Sequence, residues 1–341
     1  MSPAVTRQTF PVRAWATRAT AALCVTAILA GCEATSSPEA ADPITVDALM
    51  THVAYLADDS LYGRPAGWED ELTAAAYVRD RFAAAGLSPG VADYLQLFWI
   101  GEQPSPPVAD PGDDPARPER LWSQNVIGVL TGAGALADEW IVVGAHYDHV
   151  GWSVAPDGTL EIYNGADDNA SGTAVIIELA RYLAQLYHGE GIEGSRRSIM
   201  FQAYGAEEIG LVGSNYYCAN PVVPLTQVAA MVNFDMVGRL RDGFLTVGGT
   251  NSAPWWLSRL DAVNTDGLTL YTDNKLVGRT DYYCFYQAGR PAIHLFTGMH
   301  PQYHTPLDDP PLLNQEGLLQ IAELAARLVR GLATAPTLPV D

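Results

Sequence analysis

The sequence predicts an α/β fold, a mixed and mainly parallel β-sheet sandwiched by helices. Three observations predict it. From Asn125 onward, short apolar runs alternate with longer helical stretches, the order of a sheet with crossover helices. Several of those runs are apolar throughout rather than at every second residue, which suits strands covered on both faces. The longer stretches repeat apolar residues at the spacing of one helix face.

Taken in order, Ile44 to Ala57 and Glu69 to Ala85 show helical spacing, the second stopped by Gly86. Glu102 to Arg117 is rich in proline, glycine and aspartate and reads as a surface loop. Strands are expected at Asn125–Leu130, Trp140–Ala145, Ser198–Ala203, Ala229–Phe234 and Pro291–Phe296. Helices are expected at Ala170–Tyr187, Ala253–Asn264 and Leu313–Leu332. In such a sheet the functional site lies at the strand ends, where loops converge. There is no internal repeat. The two leading helices could not bury their apolar faces alone, so residues 44–341 are expected to form a single domain.

The chain has 341 residues, 48% hydrophobic and 17% charged, a globular balance rather than a disordered one. Its 39 acidic and 19 basic residues leave a net charge of -20, a field that repels nucleic acid and anionic lipid and argues against both as partners. Lys275 is the sole lysine, which we read as a coding bias.

Arg7, Arg13 and Arg18 precede an apolar run from Ala19 to Ala30 that is too short to span a bilayer. The segment reads as a signal peptide over residues 1–31. Its end, Leu29 to Cys32, resembles the bacterial lipobox, in which the cysteine is lipidated and becomes the first mature residue. Residues 32–43, polar and proline-bearing, then form a flexible tether. The expectation is an exported bacterial lipoprotein in the cell envelope, touching membrane only through lipid on Cys32. Cys24 would leave with the signal. Cys218 and Cys284 would remain in an oxidising compartment, either paired or as two buried thiols.

Five short segments concentrate acids and histidines where strands are expected to end. They are GAHYD at Gly144–Asp148, GADDNASG at Gly165–Gly172, AEEIG at Ala206–Gly210, NFDM at Asn233–Met236 and YHTP at Tyr303–Pro306. Each alone is unspecific. Together they offer imidazoles and carboxylates suited to a divalent metal. A carboxylate after an apolar strand, as Asp235 is after MVNF, is costly to bury unless paired or metal-bound.

In this order the five segments resemble the co-catalytic zinc exopeptidases of the M28 family, which include bacterial leucyl-type aminopeptidases. The likeness runs from about Gln124 to Pro310, and LADDSLYGR at Leu56–Arg64 is also similar to the family's beginning. It implies the zinc-exopeptidase fold, two zinc ions per chain and the hydrolysis of N-terminal residues from peptide substrates. By position, it implies that His146 and Asp235 hold one zinc, Glu208 and His304 the other, and that Asp168 bridges them. Glu207 would be the general base and then acid. Asp148 would accept a hydrogen bond from the far nitrogen of His146. The bond between Asp168 and Asn169 would be cis.

Two departures stand out. Many relatives carry serine–aspartate–histidine where this chain has Thr280, Asp281 and Tyr282. Many also carry an inserted protease-associated domain, for which this chain has only about thirty residues, too few. Other readings are a glutaminyl cyclase, which binds one zinc, a carboxypeptidase using Arg239, Arg241, Arg279 or Arg290, and a binding relic without metal. His149 and His300 read as substrate contacts or, more commonly for their kind, solvated loop residues. His294 reads as a satisfied core histidine.

Overall fold

Apolar runs and helical stretches become layers in the computed structural model, which describes residues 41–101, 122–189, 192, 194–276 and 278–339. The expected signal peptide, all of the tether but Ala41–Pro43, and the Glu102–Arg117 loop lie outside the described residues.

The described chain enters through α1 (Val46–Leu56), capped by Thr45, whose hydroxyl accepts the Ala48 N–H. It continues into α2 (Glu69–Ala84), which ends just before Gly86 at a φ of 83° that favours glycine. Three strands follow: β1 (Ser88–Pro89), β2 (Leu95–Trp99) and β3 (Trp122–Leu130). Next come β4 (Trp140–His146) and a small hairpin of β5 (Trp152–Val154) and β6 (Leu160–Ile162). The alternation proper runs through α3 (Gly172–His188), β7 (Ser198–Tyr204), α4 (Val212–Ala219), β8 (Val228–Phe234) and β9 (Phe244–Gly248). It closes with α5 (Trp256–Val263), β10 (Thr269–Thr272), α6 (Tyr282–Gln287), β11 (Ala292–Phe296) and α7 (Gln315–Thr334).

Nine described strands form one sheet in the order β1-β3-β7-β4-β8-β11-β9-β10, with β2 also paired to β3. The central neighbours β7, β4, β8 and β11 run parallel. Antiparallel pairing is confined to the margins, at β1, β2 and β3 on one side and between β11 and β9 on the other. This is the expected mixed sheet with a parallel centre. The continuous apolar runs follow from its two covered faces. Ile141, Val143, Phe201 and Val232 point into the layer formed with α1, α2, α3, α5 and α7. Their neighbours Val142, Met200 and Met231 pack against Tyr217 of α4 and Phe285 of α6.

All five expected strands and all five expected helices are present within a few residues of their reading. The start of α3 moves from Ala170 to Gly172 because Ala166–Ser171 forms an irregular turn. The shorter elements lie outside the expected set. The sequence of α4 (VGSNYYCA) has weak helix preference and tertiary packing decides it, whereas β9 (FLTVG) carries strand formers but is only five residues long. A Cys218–Cys284 disulfide joins α4 to α6, settling the pairing that the sequence left open.

Candidate metal centre

The parallel strands end along one edge, and their exits carry the acids and imidazoles singled out above. His146 closes β4, with Asp148 and His149 just beyond. Glu207 and Glu208 follow β7, Asp235 follows β8 directly, and His304 lies in the loop after β11. Asp168 comes from the turn at the head of α3, where the Asp168–Asn169 peptide is cis, as the resemblance implies. Sterics explain the glycines around that turn. A Cβ on Gly165 would lie 2.1 Å from the Asp168 carbonyl oxygen, and one on Gly172 would lie 2.4 Å from that of Phe234. Ala206, Met236 and His304 take left-handed φ values of 56°, 56° and 51°. Backbone strain in residues with a Cβ tends to cluster where a site is built.

Asp168 lies at the centre. Its Oδ1 is 3.3 Å from His146 Nε2, and its Oδ2 is 3.0 Å from His304 Nε2. Asp235 Oδ1 is 3.3 Å from the same His146 nitrogen. Glu208 places Oε2 3.1 Å from His304 Nε2 and Oε1 2.7 Å from His149 Nδ1. Two donor sets result, His146–Asp168–Asp235 and His149–Asp168–Glu208–His304, each with donor atoms within 4.8 Å of one another. Asp168 belongs to both. Glu207 is adjacent, in a third set with His146 and Glu208.

His304 Nε2 approaches two carboxylate oxygens yet is aligned for a hydrogen bond with neither. Oxygens and imidazole nitrogens that converge on shared space, rather than pairing off, make a donor set for a divalent cation. The two donor sets, which share Asp168, therefore fit divalent-cation binding. The two described cysteines take no part, being bonded to each other.

The local electrostatics divide the acids. Burial opposes ionisation of Asp168, but His146, His304 and His149 outweigh it and hold the carboxyl well below the usual range. Burial and Asp168 push Glu208 up, yet His149 and His304 draw it below its ordinary value. Glu207 goes the other way: burial, then Asp281, Asp235 and Glu208, raise it well above that range against the pull of His146. Burial also raises Asp281 to about 7.

Asp148 is fully buried and accepts the backbone N–H groups of Glu207 at 3.0 Å and Glu208 at 3.3 Å. Its backbone oxygen, 3.2 Å from His146 Nδ1, is closer to that ring than its carboxylate, at 3.7 Å. The carboxylate thus ties the loop after β4 to the loop after β7.

Several buried residues near the centre carry little sign of their place in their own segments. Arg64 is fully buried and donates to the carbonyls of Leu56, Tyr147 (2.8 Å), Asn164 (2.7 Å) and Gly165 (3.2 Å). It pins together the segments that carry His146 and Asp168. Burial lowers its pKa to about 10, while Asp148, Asp168, Asp308 and Glu208 pull the other way. Its position in LADDSLYGR was the one available signal. His149 and His300 are buried rather than solvated, because Glu208 and Asp167 lie beside them. His294 is buried as expected, but its Nδ1 has no hydrogen-bond partner among the described residues, and its ring stacks between Tyr282 and Phe296. Burial pushes it down to about 4.

A cavity of about 190 Å³ opens over the centre, walled by Met236, Thr280, His294, Phe296, Met299 and Tyr303. Of the four arginines considered above, only Arg279 lines it.

Residues 125–329 match the peptidase family M28. Aminopeptidase YwaD of Bacillus subtilis is 31% identical over 221 residues, which cover 61% of this chain and 44% of that protein. The chain therefore spans less than half the length of that relative. A solved zinc aminopeptidase from Bacillus subtilis, BSAP, superposes with a TM-score of 0.64 at 19% identity, covering 85% of this chain and 95% of that one. A glutaminyl cyclase from Bacteroides thetaiotaomicron superposes nearly as well, with a TM-score of 0.62 at 17% identity over 85% of this chain and 98% of its own. At such identities the likeness concerns the fold, which does not choose between the two reactions.

Proposed function

We propose, on the premise that this chain belongs to peptidase family M28, that it is a metallo-aminopeptidase holding two zinc ions. One observation carries the reading: Asp168 is shared by two donor sets. His146 and Asp235 would hold one ion and Glu208 and His304 the other, with Asp168 between them. His149, 2.7 Å from Glu208 Oε1, would position that carboxylate.

When bound, two zinc ions supply Lewis acidity that lowers the pKa of water and polarises a scissile carbonyl. Proton handling falls to Glu207. Its carboxylate oxygen takes a proton from water and returns it to the leaving amine nitrogen. Burial and three neighbouring acids favour its holding that proton in transit. Asp148 supports the pair by gripping the Glu207 and Glu208 amides. Met236, Phe296, Met299 and Tyr303 give an N-terminal side chain an apolar wall and exclude water from it. The carboxylates offset most of the cation charge, so a neutral substrate amine can approach. An acylated amine has neither the lone pair nor the room.

The test compares leucine p-nitroanilide with its N-acetyl form, alongside metal analysis. Hydrolysis of the free amine only, two zinc ions per chain and loss of activity to a chelator support the reading. Comparable rates on both substrates would remove the aminopeptidase assignment. About one zinc, with cyclisation of an N-terminal glutamine, would make it a cyclase, and no metal a binding relic.

The same proposal makes the chain an exported bacterial lipoprotein of the cell envelope. Residues 1–31 are its signal peptide, Cys32 carries its lipid, 32–43 is the tether, and 44–341 is one peptidase domain without an inserted domain. The N-terminal sequence supports this. No described helix is long and apolar enough to cross a membrane. Incorporation of labelled palmitate that survives in Cys32→Ala would refute it.

A further inference from the structure

A second cavity, of about 250 Å³, shares no lining residue with the first. Arg239, Arg241 and His300 line it, with Gln302 and Asn314. Two of these residues carry buried polar atoms that no described group satisfies. The His300 side chain is 3% exposed, and neither ring nitrogen has a hydrogen-bond partner. Its Nε2 lies 3.3 Å from Asp167 Oδ2 but out of alignment with it. Arg239 Nε is also buried and unpartnered. Such atoms are rare in folded proteins, and each asks for an explanation.

The charges narrow the explanation. Arg239 gives Nη2 to Asp308 at 2.9 Å and Nη1 to the Leu312 carbonyl at 3.0 Å. Arg241 donates Nη2 to the carbonyls of Thr297 and Met299, both at 3.0 Å, and makes no ion pair among the described residues. One guanidinium charge is thus answered by a carboxylate and the other only by dipoles. A cation is repelled by this lining, and an apolar ligand would leave every unpartnered atom as it is. Water could meet the hydrogen bonds and, because Arg241 is exposed, screen its charge, but it leaves that charge without a counter-ion. A small anion with several acceptor oxygens meets both.

We propose that this cavity is a binding site for a small oxyanion, a carboxylate or phosphate group held by Arg239, Arg241 and His300. The site is coupled to the metal centre through a short chain of contacts. Arg239 holds Asp308 Oδ1, while Asp308 Oδ2 accepts the amide N–H groups of Asp167 at 2.9 Å and Asp168 at 3.0 Å. An oxyanion on Arg239 competes with Asp308 for the guanidinium and so bears on the backbone that presents the central carboxylate.

The test is calorimetric titration of the full, zinc-loaded protein with sodium phosphate and, separately, with sodium acetate, at constant ionic strength. Saturable binding is expected for at least one of them. Phosphate alone would identify a phosphate site, acetate alone a carboxylate site, and both a general oxyanion site. Arg241→Gln should weaken that binding about tenfold or more, the scale of a lost charged hydrogen bond, and Arg241→Lys should weaken it less. Arg241 is exposed, so the variants should fold; unchanged zinc content and circular dichroism check that. No saturable binding of either anion at tens of millimolar would overturn the proposal. So would binding that Arg241→Gln leaves intact, which would place the anion at the zinc ions or elsewhere.

Discussion

Asp167 and Asp168 are consecutive, chemically identical and both buried, yet they serve opposite sides of one turn. Asp168 faces the imidazoles of His146, His149 and His304, which hold it ionised against burial. Asp167 faces backbone. Its Oδ1 accepts the Gly238 N–H at 2.6 Å and the Ser171 hydroxyl at 3.1 Å, and burial raises its carboxyl despite nearby His300. The difference shows what makes a buried acid a ligand. Converging imidazoles and neighbouring acids leave Asp168 room for a cation, whereas fixed N–H and O–H donors use Asp167 to fasten the turn to the loop after β8.

The largest effect should come from the front of the turn. Asp168→Ala is expected to empty the zinc site and abolish hydrolysis, read by metal analysis and by the rate on leucine p-nitroanilide. Full zinc content in that variant would break the comparison. Next is Glu207→Gln, expected to keep both metals while losing about a hundredfold to ten-thousandfold in rate. If Glu207→Gln emptied the site and Glu208→Gln did not, the roles of the two glutamates would be reversed.

Asp167→Ala should act on stability instead. It leaves the buried Gly238 N–H unpaired, which typically costs about 1–3 kcal/mol, while zinc content stays as in the native protein. Denaturant titration and metal analysis on one sample would separate the two sides of the turn. Loss of zinc without loss of stability would show that the split is misdrawn.

A further effect, seen only as pH changes, concerns Glu71 of α2, a buried acid with no cation against it among the described residues. Burial first, then Asp148, raises its carboxyl from 4.5 to about 8. A folded pKa above the unfolded one means that its contribution to stability is complete below about 4.5 and is lost as pH rises through about 8. Native protein should therefore fall behind Glu71→Gln as pH rises from 5 to 9, by at most about 1.4 kcal/mol per pH unit. Parallel stability curves for the two would show that Glu71 is not so displaced.

Much of this was legible before any coordinates. The strands at the sheet centre could be read because both faces are covered, so Val142 and Val143 are equally apolar although they belong to different layers. The site segments could be read because each carries its acids and histidines within a few residues, and their order follows the strand exits. Arg64 was harder. It contacts Tyr147 across 83 residues and Asn164 across 100, and nothing in its own neighbourhood announces that it is buried. The same holds for His149, whose partner Glu208 is 59 residues away, and for Cys218 and Cys284, 66 apart.

The sequence by itself therefore determined the layer order, the sheet centre and the residue types delivered to one edge, since these depend on hydrophobic period and local spacing. Tertiary structure alone decided that Asp167, next to the expected ligand Asp168, is spent on the Gly238 N–H, the Ser171 hydroxyl and the side of His300. It also decided that His149 and His300 are buried, and that Arg239 and Arg241 line a cavity of their own rather than the one over the metal centre. Those outcomes depend on which remote segments arrive beside a side chain and remove its water, and no window of sequence neighbours contains that information.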